Sequence, residues 1–267
     1  MPAFAAIAPA QLSRLIGTPD APTLIDVRLE EDFALDPRLL PCALRVAHDR
    51  VGDISHRIGP NGAVVLCQAG RKLSEGAAAL LRAFGQRAEI LEGGWLAAVT
   101  AGLPCLPADL LPARPSRWVT RQRPKVDRIA CPWLIRRFID PQAQFLFVAA
   151  SEVQAVADRF GAIPFDIEDV RFSHRGAMCS FDALLDDFAL HSEALDRLAL
   201  VIRGADTDRH DLAPQAAGLL ALSVGLSRQF RDDLAQLEAG MILYDAFYRW
   251  ARDGFSEGHD WPQGRPQ

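Results

Sequence analysis

No stretch of the chain approaches the roughly 20 consecutive apolar residues a helix needs to cross a bilayer. No membrane-spanning segment is therefore expected. The first residues, MPAFAAIAPAQLSRLIG, are apolar but carry no Lys or Arg before Arg14. They lack the charged start of a secretory signal. There is no CxxC pair, and the five cysteines are odd in number and widely spaced. That argues against a disulfide framework and fits reduced thiols in the cytoplasm. Neither an internal repeat nor a low-complexity segment is visible. Charge of one sign is not in large excess: 29 Lys and Arg face 34 Asp and Glu, a net charge of −5. A protein so balanced is not expected to coat nucleic acid. What remains is ordinary globular composition, 49% hydrophobic and 24% charged. At 267 residues the chain has room for two domains of roughly 100–150 residues.

The two halves differ in pattern. Residues 1–106 alternate short strands and helices. Ala8–Ile16 has helical spacing and ends at Gly17. Thr23–Val27 and Ala63–Leu66 are apolar, β-branched runs that read as buried strands. Leu73–Phe84 reads as a helix capped by Gly85, and Glu89–Leu91 as a short strand before Gly93-Gly94. This order predicts an α/β unit, a parallel sheet with helices on both faces. Residues 107–116 (PADLLPARPS) hold three prolines and read as a linker. Residues 117–262 are mainly helical. Ser151–Gln154 fits a capping box for a helix ending at Gly161. Phe181–Leu190, Ala213–Leu226 and Ser227–Arg252 read as helices, and Gln144–Val148 and Val170–Phe172 as strands. The tail from Gly254 is rich in Gly and Pro and is expected to fray.

Cys67 follows a buried strand and precedes a helix. Backbone amides in such a loop point inward at the positive end of a helix dipole. A thiol held there ionises more easily and attacks better. Gly70 permits a backbone angle other residues resist, and Arg71 and Lys72 add positive charge for an anionic substrate. The plainer reading is an inert buried thiol. Cys42, Cys105, Cys131 and Cys179 read as small core residues. Asp26-Val27-Arg28, the Cys67 loop, Leu91-Glu92-Gly93-Gly94-Trp95 and Ala101-Gly102-Leu103-Pro104 together resemble a single-domain rhodanese. That resemblance implies a persulfide carried on Cys67, with Asp26 and Arg28 bracing the loop. It implies a small sulfur donor such as thiosulfate and no cofactor for sulfur transfer. Two departures stand out. Lys72 replaces the usual loop arginine and loses its bidentate fork. Cys42, in Pro41-Cys42-Ala43-Leu44, stands where the family usually has glycine.

A second constellation lies beyond the linker. Arg114, Arg117, Arg121, Arg123, Lys125, Arg128, Arg136 and Arg137 are offset only by Asp127. Arg128 and Arg136 are candidate anion binders, since charge interleaved with bulky apolar residues must be paired at a core edge. Leu234, Glu238, Met241 and Asp245 share one helical face, and carboxylates on a core-facing stripe need a cation. His174, Cys179, Asp206, Asp208, Glu238 and Asp245 are candidate ligands for a divalent metal. The competing reading is a salt-bridge network with Arg128, Arg136 and Arg203. The run Asp127–Phe138, the His174/Cys179 segment, Asp206-Thr207-Asp208 and the Tyr244–Tyr248 helix resemble the C-terminal domain of the chromate-resistance protein B family. That resemblance implies a link to chromate or another oxyanion. The resulting expectation is a cytoplasmic sulfurtransferase joined to a chromate-associated domain. Its rival is a non-catalytic sensor whose rhodanese-like unit only docks a partner.

Overall fold

The computed structural model describes residues 5–258. The first half runs β1 (Ala6–Ile7), α1 (Pro9–Ser13), β2 (Thr23–Asp26), α2 (Glu30–Leu35), β3 (Arg38–Leu39), β4 (Leu44–Arg45), β5 (Ala63–Leu66), α3 (Lys72–Ala83), β6 (Ala88–Leu91), α4 (Gly94–Thr100) and β7 (Leu106–Pro107). Five strands form a parallel sheet in the order β1-β6-β5-β2-β4. Because both faces are covered, its strands are continuously apolar rather than alternating. Ile25, Val27, Val65 and Cys67 share one cluster with Ala77, Ala78 and Leu81 of α3. Leu24, Val64 and Leu66 point into the opposite cluster. β5 is the central strand, so its C-terminal end opens directly into the Cys67 loop. This is the α/β arrangement, a parallel sheet with helices packed against it, that the order of strands and helices implied. β1, β3, β4 and β7 have two residues each, too few to leave a periodicity in the sequence.

The second half is mainly helical but holds a small sheet. It comprises β8 (Arg117–Arg121), α5 (Asp127–Leu134), β9 (Gln144–Val148), α6 (Val153–Phe160), β10 (Ile163–Pro164), α7 (Ser180–Asp187), α8 (Glu193–Asp206), α9 (Ala216–Gln229) and α10 (Asp233–Arg249). β8 is central in the parallel order β10-β8-β9. The basic run therefore contains a strand: Trp118, Val119 and Thr120 are buried while Arg117 and Arg121 flank them. Val170–Phe172 is no strand; only Phe172 bridges, to Phe165. The capping box expected at Ser151 does not form, since Ala150–Glu152 makes a 3-10 turn and α6 begins without a side-chain cap. Its end at Gly161, in left-handed conformation, is as expected. The long helix expected from Ser227 is broken at Phe230, and Asp232 caps α10 by accepting the Ala235 N–H at 2.7 Å. Helix α8 carries its own Ser192 cap. Gly254 ends a wide helical turn, Trp250–Gly254; residues 259–267, the rest of the expected frayed tail, lie outside the described residues.

Segment 107–116 is packed rather than loose. β7 pairs antiparallel with β3, and Arg114 Nη1 donates to the carbonyls of Cys42 (2.9 Å) and Ala43 (3.1 Å). A single apolar cluster includes Leu12, Ile16 and Leu66 from the first half and Trp118, Phe138 and Tyr248 from the second. The Cys42 amide donates to the Phe138 carbonyl at 3.0 Å. Cys42 has φ 59°, which explains why a glycine suits this turn in similar sequences.

Candidate functional site

The Cys67 loop is a tight cradle. Gly70 has φ 62°, and a Cβ there would stand 2.5 Å from the Gly94 nitrogen and 2.6 Å from the Leu91 carbonyl. The Gly93-Gly94 turn thus packs backbone to backbone against the loop, and no side chain fits between them. The Trp95 and Leu96 amides bond the Cys67 and Gln68 carbonyls at 2.9 and 3.1 Å. Asp26 and Arg28 form a fully buried bidentate pair, with Nε and Nη2 at 2.9 and 2.7 Å from Oδ2. The Arg28 guanidinium lies 3.9 Å from the centre of the Trp95 ring. It braces the loop at one remove, through Trp95. Strand β2 adds a second brace, since the Val27 amide bonds the Leu66 carbonyl at 2.9 Å.

The Cys67 sulfur receives the Arg71 N–H at 3.4 Å and lies 3.3 Å from the Ser74 hydroxyl. Burial pushes this thiol up. Hydrogen bonds from the Ser74 hydroxyl and from the backbone of Arg71, Ser74 and Ala69 outweigh it, so the thiol ionises below its ordinary range. The other four cysteines go the opposite way. Burial raises Cys42 to about 12 and Cys105 to about 11, and pushes Cys131 and Cys179 up as well. Arg71 and Lys72 are exposed, and neither forms a salt bridge among the described residues.

In the second half the structure gathers His174 and Asp206 with two carboxylates that the sequence reading did not put forward as ligands, Asp127 and Asp166. His174 Nε2 lies 3.0 Å from Asp206 Oδ2, 3.6 Å from Asp166 Oδ1 and 3.8 Å from Asp127 Oδ2. Asp127 is fully buried. Its Oδ2 accepts the Ser180 and Phe181 amides at the start of α7, at 2.5 and 3.3 Å, while its Oδ1 has no partner. Asp166 is well compensated, with the Ser180 hydroxyl at 2.8 Å, Arg128 at 3.2 Å and Arg121 at 3.5 Å. Asp166, then Asp127 and Asp206, hold the His174 imidazolium and push its pKa up to about 9, against its partial burial. Burial, then the neighbouring acids, pushes Asp127 far up; burial and Asp166 raise Asp206. Val126, one residue before Asp127, has φ 31°, and Asp166 has φ 51°. A β-branched residue in that region is strained. The Tyr244 hydroxyl, bonded to the Val126 carbonyl at 3.0 Å, holds the turn.

Four of the expected ligands lie elsewhere. Glu238 is exposed and pairs with Arg136 at 2.6 Å. Asp245 takes a bidentate Arg137 at 2.8 Å and the Trp133 indole at 2.8 Å. The buried face of α10 runs through Leu237, Gly240, Met241, Tyr244 and Tyr248. Leu234 and Glu238 thus face solvent, and the expected core stripe is displaced around the helix. Asp208 is 90% exposed beside His210, and Cys179 caps α7 within the core. Arg203 pairs with Asp182 at 2.7 Å. Of the anion-binding candidates, Arg136 is engaged by Glu238 and Arg128 by Asp166. Asp127 had one legible signal, an acid at the first turn of an apolar helix; Asp166 had only its place just after a strand.

The model of the "ChrB, C-terminal domain" family matches residues 118–251, half of the chain. This chain belongs to that family. The acidic cluster, with Asp127, Asp166, His174 and Asp206, lies wholly inside the ChrB C-terminal domain. Protein ChrB of Cupriavidus metallidurans is 38% identical over 133 residues, 49% of this chain and 40% of the relative. The chain thus spans less than half the length of that relative. Among solved structures, a rhodanese-related protein from Thermoplasma volcanium aligns with 39% of this chain and 98% of its own, at 18% identity and a TM-score of 0.32. A thiosulfate sulfurtransferase from Pseudomonas aeruginosa aligns with 39% of this chain and 19% of its own, at 28% identity and a TM-score of 0.33. No helix among the described residues is long and apolar enough to cross a membrane.

Proposed function

We propose that the first half is a sulfurtransferase and that the ChrB C-terminal domain couples it to chromate or another oxyanion. The Cys67 thiolate attacks the outer sulfur of thiosulfate. Its S–S bond breaks, sulfite leaves with the electron pair, and Cys67 keeps a persulfide. An acceptor thiolate or cyanide then takes the outer sulfur and restores the thiolate. The loop amide of Arg71 and the Ser74 hydroxyl stabilise the anion, and Arg71 and Lys72 draw the donor in. No cofactor enters the cycle. The observation that carries this reading is the contrast among the thiols: Cys67 alone of the five is held below its ordinary pKa, and it sits at the strand-to-helix loop. The same contrast weighs against a purely docking role, which has no use for an activated thiol. The free thiols suit the cytoplasm. Thiocyanate formation from thiosulfate and cyanide tests the reading. Cys67→Ser is expected to lower it by about a thousandfold or more with the fold intact; transfer at the wild-type rate would refute the assignment.

For the oxyanion we propose the cavity between the two halves, about 320 Å³, lined by Arg57, Arg114, Arg136 and Arg137. Arg136 and Arg137 already hold carboxylates, whereas Arg114 Nη2 is buried with no partner. A tetrahedral oxyanion suits that donor. Arg114→Gln is expected to weaken sulfate and chromate binding about tenfold in calorimetry; unchanged binding would move the site elsewhere.

A further inference from the structure

The acidic cluster of the ChrB C-terminal domain serves no step of sulfur transfer, yet its geometry is that of a ligand set. We propose that Asp127, His174 and Asp206 bind one divalent first-row cation, each through one ligand atom. Those three atoms lie within 4.8 Å of one another, and His174 Nε2 stands 3.0 Å from Asp206 and 3.8 Å from Asp127. Ligands each about 2.0–2.2 Å from a common ion lie roughly 3–4 Å apart. Charge points the same way. Both arginines near the cluster, Arg121 and Arg128, face Asp166. Among the described residues Asp127 and Asp206 have no Arg or Lys within salt-bridge distance. A bound dication would displace the imidazole proton, and the two carboxylates with the neutral ring then match its charge.

The unpaired oxygen favours a metal over a plain ion pair. Asp127 is fully buried, yet its Oδ1 has no hydrogen-bond partner while its Oδ2 takes two amides. Buried carboxylate oxygens are normally satisfied, and a cation within the group satisfies this one. Asp166, anchored by Ser180 and Arg128, flanks the group, its Oδ1 lying 3.6 Å from the same His174 Nε2. Entry is open, since His174 is 41% exposed and lines a cleft with Arg121, Asp166 and Ser173. A donor set of one imidazole and two carboxylates suits manganese, iron(II) or zinc.

The test uses the full chain, stripped with a chelator. Mn²⁺ is titrated and followed by the loss of its free-ion paramagnetic resonance signal, with Zn²⁺ as competitor. One Mn²⁺ or Zn²⁺ per chain is expected. His174→Ala and Asp206→Asn alter partly exposed groups and should each weaken binding at least tenfold, while Asp208→Asn leaves it unchanged. Asp127→Asn, which still accepts the two α7 amides, should also weaken it. The bound ion should raise the melting temperature of the wild type but not of His174→Ala. Cys67→Ser should bind the ion as the wild type does, which separates this outcome from that of sulfur transfer. Absence of saturable binding of either ion, or binding untouched by His174→Ala, would overturn the site.

Discussion

At Cys67 two opposing effects meet in one atom. Burial favours the neutral thiol, while the Ser74 hydroxyl and the backbone of three residues favour the thiolate; the donors prevail. Ser74 is the one that mutation can remove cleanly. Its hydroxyl has a single proton, shared between the Arg71 carbonyl at 2.9 Å and the Cys67 sulfur at 3.3 Å. When the thiol ionises, that proton turns toward sulfur. In Ser74→Ala the desolvation remains and the donor is lost. The midpoint of iodoacetamide alkylation against pH should therefore rise, by about one pH unit for a hydrogen bond to a charged group. The fraction of thiolate at neutral pH should fall with it, and thiosulfate turnover in proportion. A midpoint unchanged in Ser74→Ala would assign the shift to the backbone amides alone. Asp127 shows the reverse balance, where burial and crowding of like charge leave an acid unsatisfied.

Among the elements, those that bear chemistry are the ones the sequence exposes best. β5, α3 and the Gly93-Gly94 turn were legible because a buried parallel strand is an unbroken apolar run and a tight loop needs glycine at fixed places. The break between α9 and α10 was hidden because residues 227–233 hold no Gly or Pro and, apart from Phe230, read as ordinary polar helix surface; only Asp232 marks the new start. The acidic cluster was half legible for a related reason. His174 and Asp206 stand out in short polar motifs, Ser173-His174-Arg175 and Asp206-Thr207-Asp208, but Asp127 and Asp166 come from a helix start and a strand end that converge only in three dimensions. The displaced stripe on α10 shows how a small shift around a helix moves one carboxylate, Glu238, to solvent while Asp245 stays at the core edge, paired with Arg137. Gly17, just after α1, is a junction of elements: it has φ 77°, and a Cβ there would stand 2.8 Å from the Tyr248 ring. Gly17→Ala should destabilise the chain by about 1–3 kcal/mol, through strain and a clash with the second half. Urea denaturation monitored by circular dichroism checks this, and a stability equal to wild type would mean that the contact is slack.

Over the whole molecule, the alternation of strands and helices followed by a helical region was readable from pattern, whereas the way the halves join was not. Three prolines in 107–116 look like a linker, yet the segment supplies β7, buries part of Arg114 and leaves one apolar cluster running from Leu12 to Tyr248. Side chains that pack across a boundary leave no periodic trace in either flanking sequence. We propose residues 1–106 and 117–262 as two structural units with a joint core, not as independently melting domains. Calorimetry of the full chain should then show one cooperative transition; two resolved transitions would restore the independent arrangement.

The central claim is that Cys67 carries sulfane sulfur. Intact-protein mass spectrometry after incubation with thiosulfate, followed by peptide mapping, tests it most directly. The account predicts a gain of one sulfur atom, located on the peptide that contains Cys67, removed by cyanide and absent from Cys67→Ser. A chain that gains no sulfur, or gains it on Cys42, Cys105, Cys131 or Cys179, would contradict it.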